Sequence, residues 1–382
     1  MKIQTSLPIV SMSFRTFFPL AALAAILYPT LMASISTGSL AYSGFMINAL
    51  AWHGHEMIFG FTLALVVGFL FTAGSHWTGN PPLQGKHLAG LAGLWILERL
   101  AFALPLGNLW LFTAMTLPFL IVVLAYMIHM LRGSRKNLIV FSFLLSCLLA
   151  SKSFYILHVW TNDVSYLMYA KTLGLGTFKV MIVIIAGRII PFFSKKRFPD
   201  YPISVPSWVN GGAIASALGV MFLQLVVEGN VLTTFFVISA LFQFLRLSFW
   251  TRRKFFSEPM LLILWLGYLW LGLHFALEAG VRLFPVWGFA QSALHAFGAG
   301  TLGLFAMGMM SRVSLGHTQR PIKADGFLVA AFLCVFIGAL IRVGVPLFEP
   351  NFFLSSMHYG SGFWTLGFLI LLFKFIPIWL RA

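Results

Sequence analysis

Charge is what this chain lacks. Of its 382 residues only 9% are charged, against about 25% in an ordinary soluble domain. Acidic side chains are scarcest, nine Asp and Glu in all. Such a composition excludes a water-soluble enzyme, a disordered chain and a coiled coil. Cysteine is nearly absent too. Cys147 and Cys334 lie inside apolar runs of different helices, which excludes a structural disulfide framework. No P-loop, dinucleotide fingerprint or Ser/His/Asp arrangement is present.

What fills the space is apolar. Hydrophobic residues make up 60% of the chain, with 41 Phe and 34 Gly. That mixture suits helices packed in lipid, with bulky side chains facing acyl tails and small ones letting backbones approach. Runs of membrane-spanning length recur about twelve times, at 15–36, 52–75, 87–104, 107–131, 137–159, 164–190, 207–227, 229–248, 260–280, 287–311, 325–343 and 357–381. The connections are short, so residues 1–382 read as a single transmembrane domain with no separate soluble domain. The expected fold is all-α and polytopic. The first apolar run has no convincing cleavage site after it and reads as a retained helix.

The remaining charge is lopsided, 25 Lys and Arg giving a net +16. In a membrane protein this points to the positive-inside rule and not to nucleic acid. One set of alternate loops, with both termini, holds nineteen of the basic residues, Arg15 and Arg246 among them. The opposite set holds only Arg282 and Arg342, and Arg99, Lys152, Lys171 and Lys179 fall inside spans. Both termini are therefore expected in the cytoplasm. For Lys152 and Lys179 the reading is snorkelling toward an interface.

This topology sorts the histidines by depth. His53, His55, His158, His295 and His358 fall at or near the outer ends of helices 2, 5, 10 and 12, and His274 in the outer half of helix 9. Imidazole is the commonest metal ligand and a standard axial ligand of haem iron. Histidines at one depth on several helices are what a haem or copper site in a bundle needs. Any one of them alone is an ordinary interfacial or hydrogen-bonded residue. Within WHGHE (52–56), His53 and His55 point about 200° apart on a regular helix, so they face different partners. Glu56 is the obvious acceptor for a ligating imidazole N–H, or else a capping carboxylate.

Sliding the chain by 240 residues aligns helix 2 with helix 10 without a gap, pairing His55 with His295, Gly60 with Gly300, Gly68 with Gly308 and Pro81 with Pro321. A shift of 124 aligns helix 6 with helix 10, where GLGT (174–177) meets GAGT (298–301) and Arg188 meets Arg312. Lys171 then stands where the other two helices carry histidine. Three four-helix repeats would give a pseudo-threefold arrangement like subunit I of haem–copper oxidases, although no paired histidines on a seventh helix complete that copper site.

Longer strings carry a more specific likeness: FRTFFPLAAL (14–23), WHGHEMIFGF (52–61), WTGNPP (77–82), GRIIPFF (187–193), GYLWLGL (267–273) and MSRVSLGHTQRP (310–321). Together they resemble the signature segments of the NnrS family, haem- and copper-containing bacterial inner-membrane proteins of the nitric-oxide response. The resemblance implies that His53, His55, His295 and His158 belong to the metal-binding set. It places Arg188, Arg312 and His317 in a cytoplasmic signature. At position 76 the family carries Asn, so no ligand role passes to His76. His274 and His358 match no motif and rest on depth alone.

The functional expectation is therefore a haem b protein, with copper as a further metal, acting in nitric-oxide tolerance in the bacterial inner membrane. His295 is the first choice of axial ligand, His55 its partner and His53 the next. Arg282 and Arg342, the only outward arginines, are assigned to haem propionates. The lipid bilayer, nitric oxide and an electron donor are the expected partners, with no nucleic acid. Whether nitric oxide is turned over or only bound stays open. The alternative is a transporter whose histidines contact substrate or a translocated metal. Arg188, Arg312, His317 and Arg320 form either an anion or protein contact or headgroup anchors. His317 is out of reach of a cofactor at His295, since the 17 residues from His295 to Arg312 already span about 26 Å of helix.

Overall fold

The computed structural model describes residues 7–42, 46–284 and 290–381. Lys2 and the first residues of the expected tenth span lie outside them. The described chain is all-α, without strands. Twelve helical rods follow one another: α1 (Ser13–Ser36), α2 (Ala49–Thr78), α3 (Gly85–Ala103), α4 (Leu109–Gly133), α5 (Arg135–Thr161), α6 (Val164–Arg197), α7 (Ser207–Leu223), α8 (Asn230–Trp250), α9 (Pro259–Leu283), α10 (290–317), α11 (Gly326–Phe348) and α12 (Phe353–Leu380). Ten are long and apolar enough to cross a membrane. The others are α3, which carries Lys86, Glu98 and Arg99, and the shorter α7. The protein is a multi-pass membrane protein.

Local chemistry sets the helix ends. Asn48, Asn108 and Asp325 cap α2, α4 and α11 by accepting from the backbone N–H three residues on. Gly79 closes α2 in the left-handed region at φ 74°. The tenth helix runs on to His317, six residues beyond the expected end at 311, so Arg312 and His317 belong to a helix and not to a loop.

Two rods are irregular at matching places. In α2 the α-helix Ala49–His55 passes into a π-helical segment, Glu56–Thr62, before Leu63–Thr78 resumes. In α10 the segment Ala290–His295 passes into a π-helical segment, Ala296–Leu302, before Gly303–His317. The two π segments lie 240 residues apart, the shift that aligns the sequences, and each follows a histidine. Helix α6 stays α-helical through GLGT, so the 124-residue match does not extend to this feature. π-Helical turns are uncommon and frequently mark functional sites.

The chain forms two compact units, one of residues 1–174, 313–320 and 372–382, the other of 175–312 and 321–371. In the first, Arg15 is buried and donates to the carbonyls of Ile378, Trp379 and Arg381. It caps the end of α12, where carbonyls lack helical partners, and is not the loop charge expected of it. In the second, Arg246 is 3% exposed and donates to Val183 O (2.7 Å), Asn210 Oδ1 (2.9 Å) and Tyr268 Oη (3.1 Å). It too is a buried clamp where a loop charge is expected. Helices α11 and α12 cross at backbone distance, Gly338 lying against Gly360.

Candidate functional site

Within the first unit, five ionisable side chains from three helices meet, four of them buried and the fifth, Arg99, partly exposed. His55 and Glu56 come from α2, Glu98 and Arg99 from α3, and Lys152 from α5. His55, Glu98 and Lys152 are 0% exposed and Glu56 1%. His55 Nδ1 donates to Glu56 Oε1 at 2.9 Å, and its Nε2 accepts from Lys152 Nζ at 2.7 Å. Lys152 also pairs with Glu98. Arg99 reaches Glu56 Oε2 and Glu98 Oε1, both at 2.8 Å. Two carboxylates thus face a lysine and an arginine around an imidazole, the kind of mutual pairing that burial in a membrane demands. Lys152 does not snorkel, and only its tertiary partners explain why.

The π segment of α2 helps build this cluster. Its widened turn leaves backbone carbonyls for other donors. Arg99 Nη1 takes that of Phe59 (3.1 Å) and Trp95 Nε1 that of Gly60 (3.1 Å). Phe59 lies under Lys152 Nζ, 3.9 Å from ring centroid to nitrogen, and Phe102 packs against His55 with its ring tilted, the centroids 3.8 Å apart. Position 60 has room only for glycine. A Cβ there would lie 2.8 Å from both Glu56 Oε2 and Tyr28 Cε2. With both ring nitrogens engaged, His55 has no lone pair left for a metal, and this arrangement does not fit an iron or copper ligand.

A histidine in the second unit differs. His274 of α9 is 0% exposed; its Nδ1 donates to Ala293 O of α10 at 2.7 Å. That bond fixes the tautomer and leaves Nε2 as the lone-pair nitrogen. Nε2 is buried and has no hydrogen-bond partner among the described residues. A backbone carbonyl on Nδ1 with Nε2 open is how proteins orient an imidazole toward a metal, so His274 fits the role. Phe275 and Phe297 flank it at 5.2 and 5.6 Å, and Lys179 Nζ lies 5.9 Å from each of the same rings. Lys179 is 5% exposed, so it is buried beside this site and does not reach an interface. Glu278 and Arg282 follow at one-turn intervals on α9, joined by an ion pair of 2.5 Å.

The remaining candidates are dispersed. His53 is half-buried. His295 is half-buried too, and it stands about 200° round α10 from Ala293, away from the face that meets His274. His158 is tied into the end of α5 by donating to Asp163 O at 2.9 Å, and His358 is exposed beside Tyr359. Lys171 is half-buried, its Cε packed near Gly54. Arg282 is exposed and occupied by Glu278. Arg342 is 8% exposed, lies 4.8 Å over Phe353, and has a buried Nη1 without a partner among the described residues. Arg188 is exposed, whereas Arg312 donates to Met260 O and lies 3.8 Å over Phe193. Among the described residues no three His, Cys, Asp or Glu side chains converge to hold a metal ion.

Sequence reasoning passes over Glu98, Arg99, Lys152 and Lys179 as site residues. The signal is present: these are ionisable residues inside apolar runs, which in a membrane find partners or function.

No curated protein matches the chain. The family model described as NnrS protein matches residues 8–382, nearly its whole length, and the chain belongs to the NnrS family.

Proposed function

We propose that this protein binds haem b in the bacterial inner membrane and acts in the nitric-oxide response, with both termini cytoplasmic. Family membership supports the nitric-oxide response. The observation that carries the haem reading is the buried Nε2 of His274, which has no hydrogen-bond partner among the described residues. When bound, a haem iron with an open position supplies a site for nitric oxide and a one-electron redox centre. His274 would hold the iron, its ring oriented by Ala293 O and shielded from water by Phe275 and Phe297. Arg342, with a buried guanidinium nitrogen to satisfy, would hold a propionate. This reassigns the axial role from His295 and His55, and the propionate role from Arg282. The described residues gather no three-ligand cluster for copper, and no residue is assigned to it.

The test is a reduced-minus-oxidised visible spectrum of the detergent-purified protein, with His274→Ala, His55→Ala and Arg342→Ala variants. A haem spectrum is expected in the wild type, lost in His274→Ala, kept by whatever His55→Ala protein folds, and weakened in Arg342→Ala by easier haem loss. A spectrum unchanged by His274→Ala removes that ligand. A colourless wild type, expressed with haem precursors, sinks the haem reading and favours a carrier.

A further inference from the structure

Within the second unit, the end of α6 and the connection between α8 and α9 enclose a cavity of about 500 Å³. Three consecutive cations line it, Arg252, Arg253 and Lys254, the last two on the 3₁₀ turn Arg253–Ser257. From the other side come Ser194 of α6, 1% exposed, and Phe198 and Tyr201 just beyond that helix. An ion pair of 2.5 Å between Arg197 and Glu258 ties the two segments together. That bond occupies Glu258, and Asp200 reaches none of the three cations. Among the described residues Arg252, Arg253 and Lys254 therefore have no carboxylate partner. Arg252 donates only to the neighbouring Thr251 O at 2.9 Å, and Lys254 Nζ rests 3.8 Å over the ring of Tyr201. Three adjacent like charges repel one another, and an anion set among them relieves that repulsion. The planar fork of arginine matches a phosphate group in particular.

Size and lining say which phosphate. The walls are mostly carbon, and a cavity of this volume suits an organic ligand more than a bare ion. Helices α6, α8 and α9 are each long and apolar enough to cross a membrane. Their ends therefore set the cavity at the edge of the bilayer, at the level of the headgroups. Phe192 and Phe256, close in sequence to lining residues, are 61% and 57% exposed, as suits side chains that meet lipid. Basic pockets between membrane helices are a known way to hold anionic headgroups. We propose that this cavity binds one anionic phospholipid. Its phosphate lies on Arg252, Arg253 and Lys254, and its glycerol and upper acyl carbons lie against Phe198 and Tyr201. The site is independent of the haem reading, since it uses neither His274 nor the ion cluster around His55.

The experiment titrates phosphatidylglycerol into the full-length chain, purified and delipidated in detergent, and counts bound lipids by native mass spectrometry. Phosphatidylcholine, which carries the same phosphate without net charge, and inorganic phosphate are titrated in parallel. Two double variants are compared with the wild type. One is Arg253→Gln with Lys254→Gln; the other, Arg135→Gln with Lys136→Gln, removes the same charge from another basic connection. All four residues are exposed, so both variants should keep the lipid-free Tm. The wild type is expected to bind one phosphatidylglycerol more tightly than any further lipid, and phosphatidylcholine only weakly. Arg253→Gln with Lys254→Gln should weaken that first lipid about tenfold or more, while the other pair leaves it unchanged. Equal effects of the two pairs overturn the proposal, because the lipid would then answer to net charge and not to this cavity. A wild type that binds both lipids alike also overturns it, as does inorganic phosphate binding as tightly as phosphatidylglycerol.

Discussion

Lys152 on α5 and Glu98 on α3 form an ion pair with neither side chain exposed to solvent, and His55 rests on the lysine nitrogen at 2.7 Å. The pair exists because each charge is matched nearby: Arg99 holds Glu56 as Lys152 holds Glu98. A buried pair gives little net stability against an apolar replacement, yet removing one partner strands the other. Lys152→Met should therefore destabilise the protein by about 3–5 kcal/mol. Lys152→Met combined with Glu98→Gln should recover most of that loss. Thermal unfolding in detergent distinguishes the two, and a single variant as stable as the wild type would show that the pair is not holding the helices.

The cluster also dictates a residue that bears no charge. Gly60 lets Glu56 and Tyr28 close over the π segment, and a Cβ would meet both at 2.8 Å. Gly60→Val should lower the Tm through overpacking, at a cost of about 1–3 kcal/mol. Gly298, in the matching segment of α10, has open space where a Cβ would stand, with no atom of the described residues within 4 Å. Gly298→Ala should leave the Tm unchanged or raise it, because alanine lowers the entropy of the unfolded chain. Equal losses in both variants would mean that the π geometry, and not the cluster, excludes a side chain.

Much of the fold is legible in the sequence because hydrophobicity and length report spans directly. All twelve expected runs correspond to helical rods, and the 240-residue match pairs the two helices that carry π segments, although the π geometry itself is not announced by the sequence. Partners are not legible. A lysine such as Lys152 reads the same whether it snorkels or pairs, because sequence gives its depth but not its rotation about the helix. Arg15 and Arg246 illustrate the converse, since a cation near a helix end looks like a headgroup anchor until the chain folds a carbonyl onto it. Sequence places His274 only by depth. Its distinguishing feature is the carbonyl of Ala293, nineteen residues on, which no local pattern announces.

Arg246 offers a test of that converse. Its guanidinium spans Val183 O, Asn210 Oδ1 and Tyr268 Oη, and a lysine ammonium cannot reproduce that fork. Arg246→Lys should keep the charge but lose part of the hydrogen bonding, costing about 1.5–3 kcal/mol for each charged hydrogen bond lost. A headgroup anchor would tolerate the exchange with no change in Tm. The measured difference therefore separates a buried clamp from a surface charge.

The crossing of α11 and α12 makes the sharpest structural claim. A Cβ on Gly338 would stand 2.8 Å from Gly360 O and 3.0 Å from Trp364 N. These are backbone atoms, so no rotamer change relieves the clash and the helices must separate. In a membrane, where association relies on close packing of small residues, separation removes the contacts that hold the pair. Gly338→Ala should therefore lower the Tm and increase protease cleavage near residues 349–352, between the two helices. Gly344→Ala, on the same helix with no atom of the described residues within 4 Å of its Cβ, should do neither. If Gly338→Ala behaves like Gly344→Ala, the two backbones do not approach as closely as this crossing requires.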